Sequence, residues 1–215
     1  TEQALARISQ LYLEKKDYKI SLPYLIRLET EADFPQNIIF AQSNAMKASY
    51  ELEKYHEAVI FADKVLQNEK IENSVKSDAQ FIIARSAMKT DDENKAKDAY
   101  AEVLKIATGK LAAEALYYDA YFKNKSGQFK ASNESIQLLA KEYAGYKYFG
   151  AKGLVLMAKN FYKLNDAFQA TYILESVIKN FEDYPDIIDE AISELSIVKS
   201  EQAKTNDSIE TEEKN

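Results

Sequence analysis

Small residues recur along this chain at a nearly constant spacing, and each one opens an apolar helical pattern. The spacings between successive members are 37, 38, 36 and 38 residues. A fixed period in this range is the signature of a repeat protein, in which each unit is one supersecondary element. We name these positions the marker residues; they are Ser21, Ala58, Ala96, Ser132 and Ala170.

Each marker residue is followed by larger apolar side chains at helical spacing. Four residues further stand Leu25, Ala62, Tyr100, Ile136 and Leu174, and seven further stand Leu28, Val65, Val103, Leu139 and Val177. Positions i, i+4 and i+7 share one face of an α-helix, so each unit contains an amphipathic helix. Polar breaks such as EKKD and TDDEN separate this helix from an earlier one. The unit is therefore predicted to be a helical hairpin with a first helix A and a second helix B.

Helix A carries a matching set of residues twelve positions before each marker residue. Four of the five are small, and Met46 is the exception; the set is Ser9, Met46, Ala84, Ala120 and Ala158. Small side chains on both helices allow the two backbones to approach closely. We therefore expect both sets to be buried between the paired helices.

This pattern resembles the tetratricopeptide repeat (TPR) family, which pairs a small residue in helix A with an alanine near the start of helix B. The segments YHEAVIFADKVL (55–66) and DAFQATYILESVI (166–178) carry the resemblance best, and it covers roughly residues 2–181. The units are longer than the family's usual 34 residues, and the tryptophan of helix A is absent. Units of this length are similar to those of bacterial cell-envelope TPR proteins. The resemblance implies an all-α, right-handed superhelical solenoid whose first helices line a concave face.

The predicted organisation is five antiparallel hairpins and a C-terminal capping helix. The hairpins cover about residues 2–36, 37–74, 75–111, 112–148 and 149–184. The segment 185–204 has an apolar side that is expected to cap the end of the core; it consists of Ile188, Ile192, Leu195 and Val198. Residues 205–215 have almost no apolar content, so we expect a disordered acidic tail there.

Composition and charge argue against several classes of function. The formal net charge is −7, whereas binding to nucleic acid needs a basic footprint. No run of 18 apolar residues occurs, so no membrane span is predicted. The absence of cysteine excludes disulfides and thiolate metal sites. Because the chain begins at Thr1 without a methionine, we expect a processed or truncated piece. The similarity to cell-envelope TPR proteins favours a periplasmic or cell-envelope location over a cytoplasmic one.

No catalytic or metal-binding motif emerges from the sequence. There is no glycine-rich phosphate loop, no H-E-x-x-H and no C-x-x-C. The single histidine, His56, lies in a polar turn, where a solvated surface residue is the usual interpretation. Acidic clusters at 91–93 and 182–190 allow a calcium site or paired carboxylates, but both precede or open a helix, where the dipole favours acids. We therefore expect a protein that is not an enzyme and uses no cofactor.

The predicted partner-binding groove is the side of helix A that faces away from helix B. By helical spacing this side mixes aromatic, amide and cationic side chains, a composition used in peptide recognition. The groove residues are Asn44, Lys47, Tyr50, Phe81, Arg85, Tyr117, Tyr118, Tyr121, Lys159 and Tyr162. Packing against adjacent helices is the alternative role for Phe81, Tyr117 and Tyr118.

Three of these residues are cations at the same inner position of their units, namely Lys47, Arg85 and Lys159. Equivalent positions of stacked hairpins lie roughly 10 Å apart, so the three cations are expected to form one line. Such a line favours ligands with carboxylates, and the alternative is three ordinary solvated side chains.

Together these patterns predict a non-enzymatic scaffold that holds a protein or an extended peptide with acidic groups, and the resemblance implies a bacterial cell-envelope complex as its setting. The alternative from a different class is a helical interaction domain attached to an enzyme or sensor whose catalytic part is absent from this chain.

Overall fold

The computed structural model describes the backbone of residues 1–212 and the side chains of residues 1–204. Over this range the chain forms eleven α-helices and no strand. The helices are α1 (Glu2–Glu14), α2 (Tyr18–Glu31), α3 (Pro35–Glu51), α4 (Tyr55–Leu66), α5 (Asn73–Lys89), α6 (Glu93–Ile106), α7 (Gly109–Lys125), α8 (Phe129–Glu142), α9 (Lys147–Lys163), α10 (Ala167–Asn180) and α11 (Pro185–Glu212). The first ten pair as five hairpins, with odd-numbered helices as helix A and even-numbered helices as helix B. The predicted all-α repeat fold is confirmed.

The helices belong to two compact units. The first covers Thr1–Ala107 and contains three hairpins, and the second begins at Thr108 and contains two hairpins and α11. Within each unit, helix B packs against its own helix A and against the next helix A. Successive A helices within a unit are also in contact: α3 contacts α5, and α7 contacts α9. Each unit therefore buries the stripes of its hairpins against neighbouring hairpins.

Burial confirms the hairpin register that the marker residues predict. All five marker residues have no exposed surface, and the same is true of all five partners in helix A, including Met46. The apolar residues four and seven positions after the markers are at most 1% exposed. A side chain larger than alanine or serine at a marker position would therefore collide with the facing helix.

The turns between helix A and helix B share one backbone conformation. Each contains a residue with positive φ: Lys16 (56°), Glu53 (59°), Asp91 (57°), Gly127 (76°) and Asn165 (63°). Only Gly127 adopts this conformation without a steric cost, because the other four carry a Cβ atom. Four of the five turns therefore reverse the chain with a non-glycine residue at positive φ.

Aspartates begin three of the B helices. Asp17, Asp92 and Asp166 accept hydrogen bonds from the backbone N–H groups of Ile20 (3.2 Å), Lys95 (3.2 Å) and Gln169 (3.0 Å). This is the usual N-cap interaction, which satisfies a donor that the helix itself cannot. The acidic cluster at 91–93 thus supplies a helix cap through Asp92.

The last helix, α11, covers the end of the core in the second unit. Its buried residues Ile187, Ala191 and Val198 join the cluster formed by α9 and α10. The predicted stripe was wrong in detail, because Ile192 is 50% exposed and Ile187 takes the buried place. The side that faces away from the core includes exposed polar residues such as Ser193 and Ser196, as a terminal element of a repeat array requires.

The backbone of α11 remains helical to Glu212. The capping helix was predicted to end at residue 204, which is too early. Residues 205–212, which were predicted to be disordered, have a helical backbone. No glycine or proline interrupts residues 186–212, so nothing in the local sequence stops the helix. Residues 213–215 of the predicted tail lie outside the described residues.

Candidate functional site

A cavity of about 230 Å³ opens between α3 and α5 in the first unit. Four of the predicted groove residues line it: Lys47 and Tyr50 from α3, and Phe81 and Arg85 from α5. The rest of the lining consists of Glu51, Asp78 and Ile82. Residues chosen by helical spacing from two different hairpins therefore meet at one place.

The charges around this α3–α5 cavity are balanced. Lys47 Nζ lies 2.7 Å from a carboxylate oxygen of Asp78, and the Arg85 guanidinium lies 4.2 Å from the centroid of the Phe81 ring. Glu51 is the second carboxylate in the lining. The first cation of the predicted basic line thus faces a carboxylate from the next helix A.

Aromatic side chains form part of the cavity wall. Phe81 is only 5% exposed and packs edge-on against Tyr100, with 6.1 Å between ring centroids. Tyr50 is half-buried and packs edge-on against Tyr55. Asn44 is not part of the lining, and its amide donates to the carbonyl of Phe40 in its own helix (2.8 Å). Lys47, Tyr50 and Arg85 thus line the cavity with partly or fully exposed side chains, whereas Phe81 is buried.

In the second unit, tyrosines of α7 and α9 and the tyrosine that precedes α11 form an aromatic surface. We name Tyr118, Tyr121, Tyr148 and Tyr184 the tyrosine surface; all four are half-buried. Ring centroids are 6.0 Å apart for Tyr118 and Tyr121 and 5.6 Å apart for Tyr148 and Tyr184. Tyr117 lies below this surface at 7% exposure, and burial raises the pKa of its phenol. Tyr117 and Phe81 therefore follow the alternative prediction of packing against neighbours.

Lys152 of α9 stands within the tyrosine surface. Its ammonium lies 5.0 Å from the ring centroid of Tyr117 and 6.0 Å from that of Tyr148, both within cation–π range. Our sequence reasoning missed Lys152, although it lies two helical turns before Lys159 on the same face of α9. Extending the inner stripe of the fifth hairpin towards its N-terminus identifies it.

Lys159 meets carboxylates from α11. Its ammonium is 2.7 Å from Glu190 and 3.1 Å from Glu194. Burial lowers the pKa of Lys159, but hydrogen bonds and charge from the two glutamates outweigh burial and raise it above the usual value. Lys159 therefore has its ion-pair partners within the chain, and Lys47 likewise has Asp78.

Two tyrosines of α9 complete the contact with α11. The Tyr148 hydroxyl donates to Asp186 (3.0 Å), and the Tyr162 hydroxyl donates to Glu201. Burial and the bond to Asp186 raise the pKa of Tyr148, and the bond to Glu201 raises that of Tyr162.

Two of the three predicted groove cations, Lys47 and Lys159, form ion pairs with carboxylates of their own units. The predicted excess of positive charge is therefore absent at both positions.

None of the helices in the described residues has the length and apolar character to cross a membrane. Within the same part of the chain, no three His, Cys, Asp or Glu side chains are grouped so that they could hold a metal ion. His56 is exposed in the first turn of α4.

Comparison with known proteins identifies the fold. No family model and no curated protein matches the sequence. Among solved structures, YrrB, described as a TPR protein with an unusual peptide-binding site, matches with a TM-score of 0.66 at 14% identity, over 88% of this chain and 89% of that one. MamA matches with a TM-score of 0.66 at 12% identity, over 86% and 94% of the two chains. TPR-like repeats of a kinesin light chain from Podospora anserina match with a TM-score of 0.57 at 14% identity, over 81% and 92%.

These structures define the class of protein. The chain has the TPR-like α-solenoid fold that its repeated small residues predicted, with similarity at the level of fold alone.

Proposed function

We propose that this protein is a non-enzymatic scaffold that binds a protein or an extended peptide along the inner sides of its A helices. The observation that carries the proposal is the α3–α5 cavity, where Lys47, Tyr50 and Arg85 meet. The fold supports it, since a TPR protein of similar fold is described as having a peptide-binding site. The length of the repeat units favours a bacterial cell-envelope complex as the setting.

The size of the cavity favours a partner's side chain over a small free ligand. Its volume of about 230 Å³ is below the roughly 300–1,000 Å³ of typical small-molecule sites. Its lining includes Tyr50 and Arg85, and tyrosine and arginine are among the residue types that contribute most to protein interfaces. A peptide lying across α3 and α5 would insert one side chain between Tyr50 and Arg85.

Site-specific photo-crosslinking tests this function. The crosslinking residue p-benzoylphenylalanine replaces Tyr50 in the α3–α5 cavity, and in a matched control it replaces Ile60, which is 56% exposed on helix B of the same hairpin. We expect a defined partner to be crosslinked from position 50 and not from position 60. The partner is then titrated against the purified parent and against Arg85→Ala and Tyr50→Ala.

Removal of either side chain should weaken binding of that partner at least tenfold, since interface residues of this type often contribute more than about 1.4 kcal/mol. Both variants should keep the circular dichroism spectrum of the parent. Equal crosslinking from position 60, or unchanged affinity in both alanine variants, would place the binding surface elsewhere.

A further inference from the structure

Lys152 differs from the other inner lysines in having no carboxylate beside it. Lys47 has Asp78, and Lys159 has Glu190 and Glu194. Among the residues whose side chains are described, the ammonium of Lys152 makes no ion pair and contacts only the rings of Tyr117 and Tyr148. Lys152 is thus a lysine set among aromatic side chains, without an ion pair in the part of the chain whose side chains are described.

The carboxylates on the facing side of α11 are already bound. Asp186 accepts a hydrogen bond from the Tyr148 hydroxyl, and Glu190 is paired with Lys159. Both acidic residues face α9, the helix that carries Lys152. These carboxylates therefore bind Tyr148 and Lys159, and the ammonium of Lys152 contacts aromatic rings instead.

An ammonium has three hydrogen-bond donors, and aromatic rings satisfy none of them with an acceptor oxygen. Ring faces do attract the cation, so they hold it in place at the surface. Partial burial of the side chain also reduces competition from water, which strengthens a new ion pair relative to one on an open surface. Lys152 is thus positioned and partly desolvated before any partner arrives.

We infer that Lys152 is the anchor for a carboxylate of the bound partner, supplied by an Asp or Glu side chain with apolar neighbours that pack on the tyrosine surface. This inference rests on the proposed function and names the chemistry of the peptide that the second unit takes. Charge complementarity supplies the specificity, because the ion pair forms only with a ligand that brings the missing carboxylate. The surrounding tyrosines supply apolar contact area and no formal charge.

A pair of synthetic peptides tests the assignment. One alternates glutamate with leucine over ten residues, and the other has glutamine in place of every glutamate; both are acetylated and amidated, so that only side chains differ in charge. Binding is measured by fluorescence anisotropy at about 50 mM and about 500 mM salt, because screening weakens exposed ion pairs over this range. We expect the parent to prefer the glutamate peptide by about fivefold to tenfold at low salt, and less at high salt.

Three variants locate the preference. Lys152→Met should bind both peptides equally, with affinity for the glutamine peptide unchanged. Lys152→Arg keeps the charge and should retain the preference. Lys147→Met removes an exposed lysine from another side of α9 and is the control for the loss of one positive charge; it too should retain the preference.

Equal binding of the two peptides by the parent, an unchanged preference in Lys152→Met, or a preference lost equally in Lys147→Met would each overturn the assignment of Lys152. Failure of both peptides to bind would overturn it as well. None of these outcomes bears on crosslinking from position 50, which alone decides the proposed partner-binding function. Unaltered circular dichroism of Lys152→Met excludes unfolding as the cause of a lost preference.

Discussion

Asn160 is a completely buried amide at which three helices of the second unit meet. Its side-chain nitrogen donates to Ser132 Oγ (2.8 Å) and to Asn133 Oδ1 (2.7 Å), and its Oδ1 accepts from Asn124 Nδ2 (2.7 Å). Ser132 Oγ in turn donates to the carbonyl of Ala120 (2.7 Å). The network therefore joins α7, α8 and α9 by directed bonds in addition to their apolar packing.

Replacement of Asn160 by alanine should lower the free energy of unfolding by about 3 kcal/mol. Three hydrogen bonds are lost, and each contributes on the order of 1 kcal/mol net. The buried Asn133 oxygen loses its donor, which adds a desolvation penalty of about 1 kcal/mol or more. The half-buried Asn124 amide can donate to water instead of to Asn160, which reduces the penalty for losing that hydrogen bond. These contributions bracket the loss between about 2 and 4 kcal/mol.

Urea unfolding followed by circular dichroism measures this loss, with the slope of the transition expected to stay unchanged. Asn180→Ala is the matched control, because Asn180 is exposed and, among residues 1–204, its side chain bonds only to Ser176 in its own helix. Its effect should stay within about 0.5 kcal/mol, as for other surface substitutions. A loss below about 1 kcal/mol for Asn160→Ala would refute the view that this network stabilises the unit.

Three other substitutions give measurable outcomes. Ala170→Leu should lower the unfolding midpoint, because overpacking at this buried position costs about 1–3 kcal/mol. Gln169→Leu, at the adjacent exposed position, should leave the midpoint unchanged. Equal midpoints for the two variants would contradict the proposed register of the hairpin helices. Gly127→Ala should lower the free energy of unfolding in urea by about 1–2 kcal/mol, because a residue with a Cβ atom is strained at a φ of 76°. No atom lies within 4 Å of the added Cβ, so the cost comes from this backbone strain and not from a clash. An unchanged free energy would mean that the turn relaxes. The raised pKa of Lys159 means that its ion pairs stabilise the fold fully below the unfolded pKa of 10.5, and this stability is lost as pH rises through the folded pKa. Lys159→Met should therefore flatten the decline of thermal stability at alkaline pH, and an identical decline would argue that the ion pairs contribute nothing.

The hairpin fold follows from sequence because the decisive interactions are local and repeat. A small residue such as Ala96 faces Ala84 of the same hairpin at a fixed separation of twelve residues, so one alignment of the chain with itself predicts every pair. The end of α11 could not be predicted in this way. Helix ends depend on caps and breakers, and the segment after residue 204 contains neither glycine nor proline.

The groove residues were harder to predict because their roles depend on the neighbouring hairpin. Helical spacing placed Phe81 and Tyr117 on the inner side, but the depth of a side chain depends on what packs over it, and both are buried. The charge partners were also missed, although a signal was present. Lys47 and Asp78 are 31 residues apart, and so are Lys159 and Glu190, which is the offset between facing positions of a helix A and the next odd-numbered helix, α11 included.

This constant offset explains how an inner surface rich in charge can still select a ligand. Where a lysine meets a carboxylate 31 residues further along, the pair is internally neutral and attracts acidic and basic partners about equally. Tyr121 in α7 has Lys152 at the same offset, but here the lysine occupies the second position of the pair and an aromatic ring stands at the first, where Lys47 and Lys159 have a cation. A substitution that places a carboxylate at this first position tests the idea directly. Tyr121→Glu should supply Lys152 with a carboxylate from the chain itself and abolish the preference for the glutamate peptide, whereas Tyr121→Gln, of similar size and without charge, should preserve it. A glutamate-peptide preference that survives Tyr121→Glu would show that pairing between successive A helices does not control ligand charge at this surface.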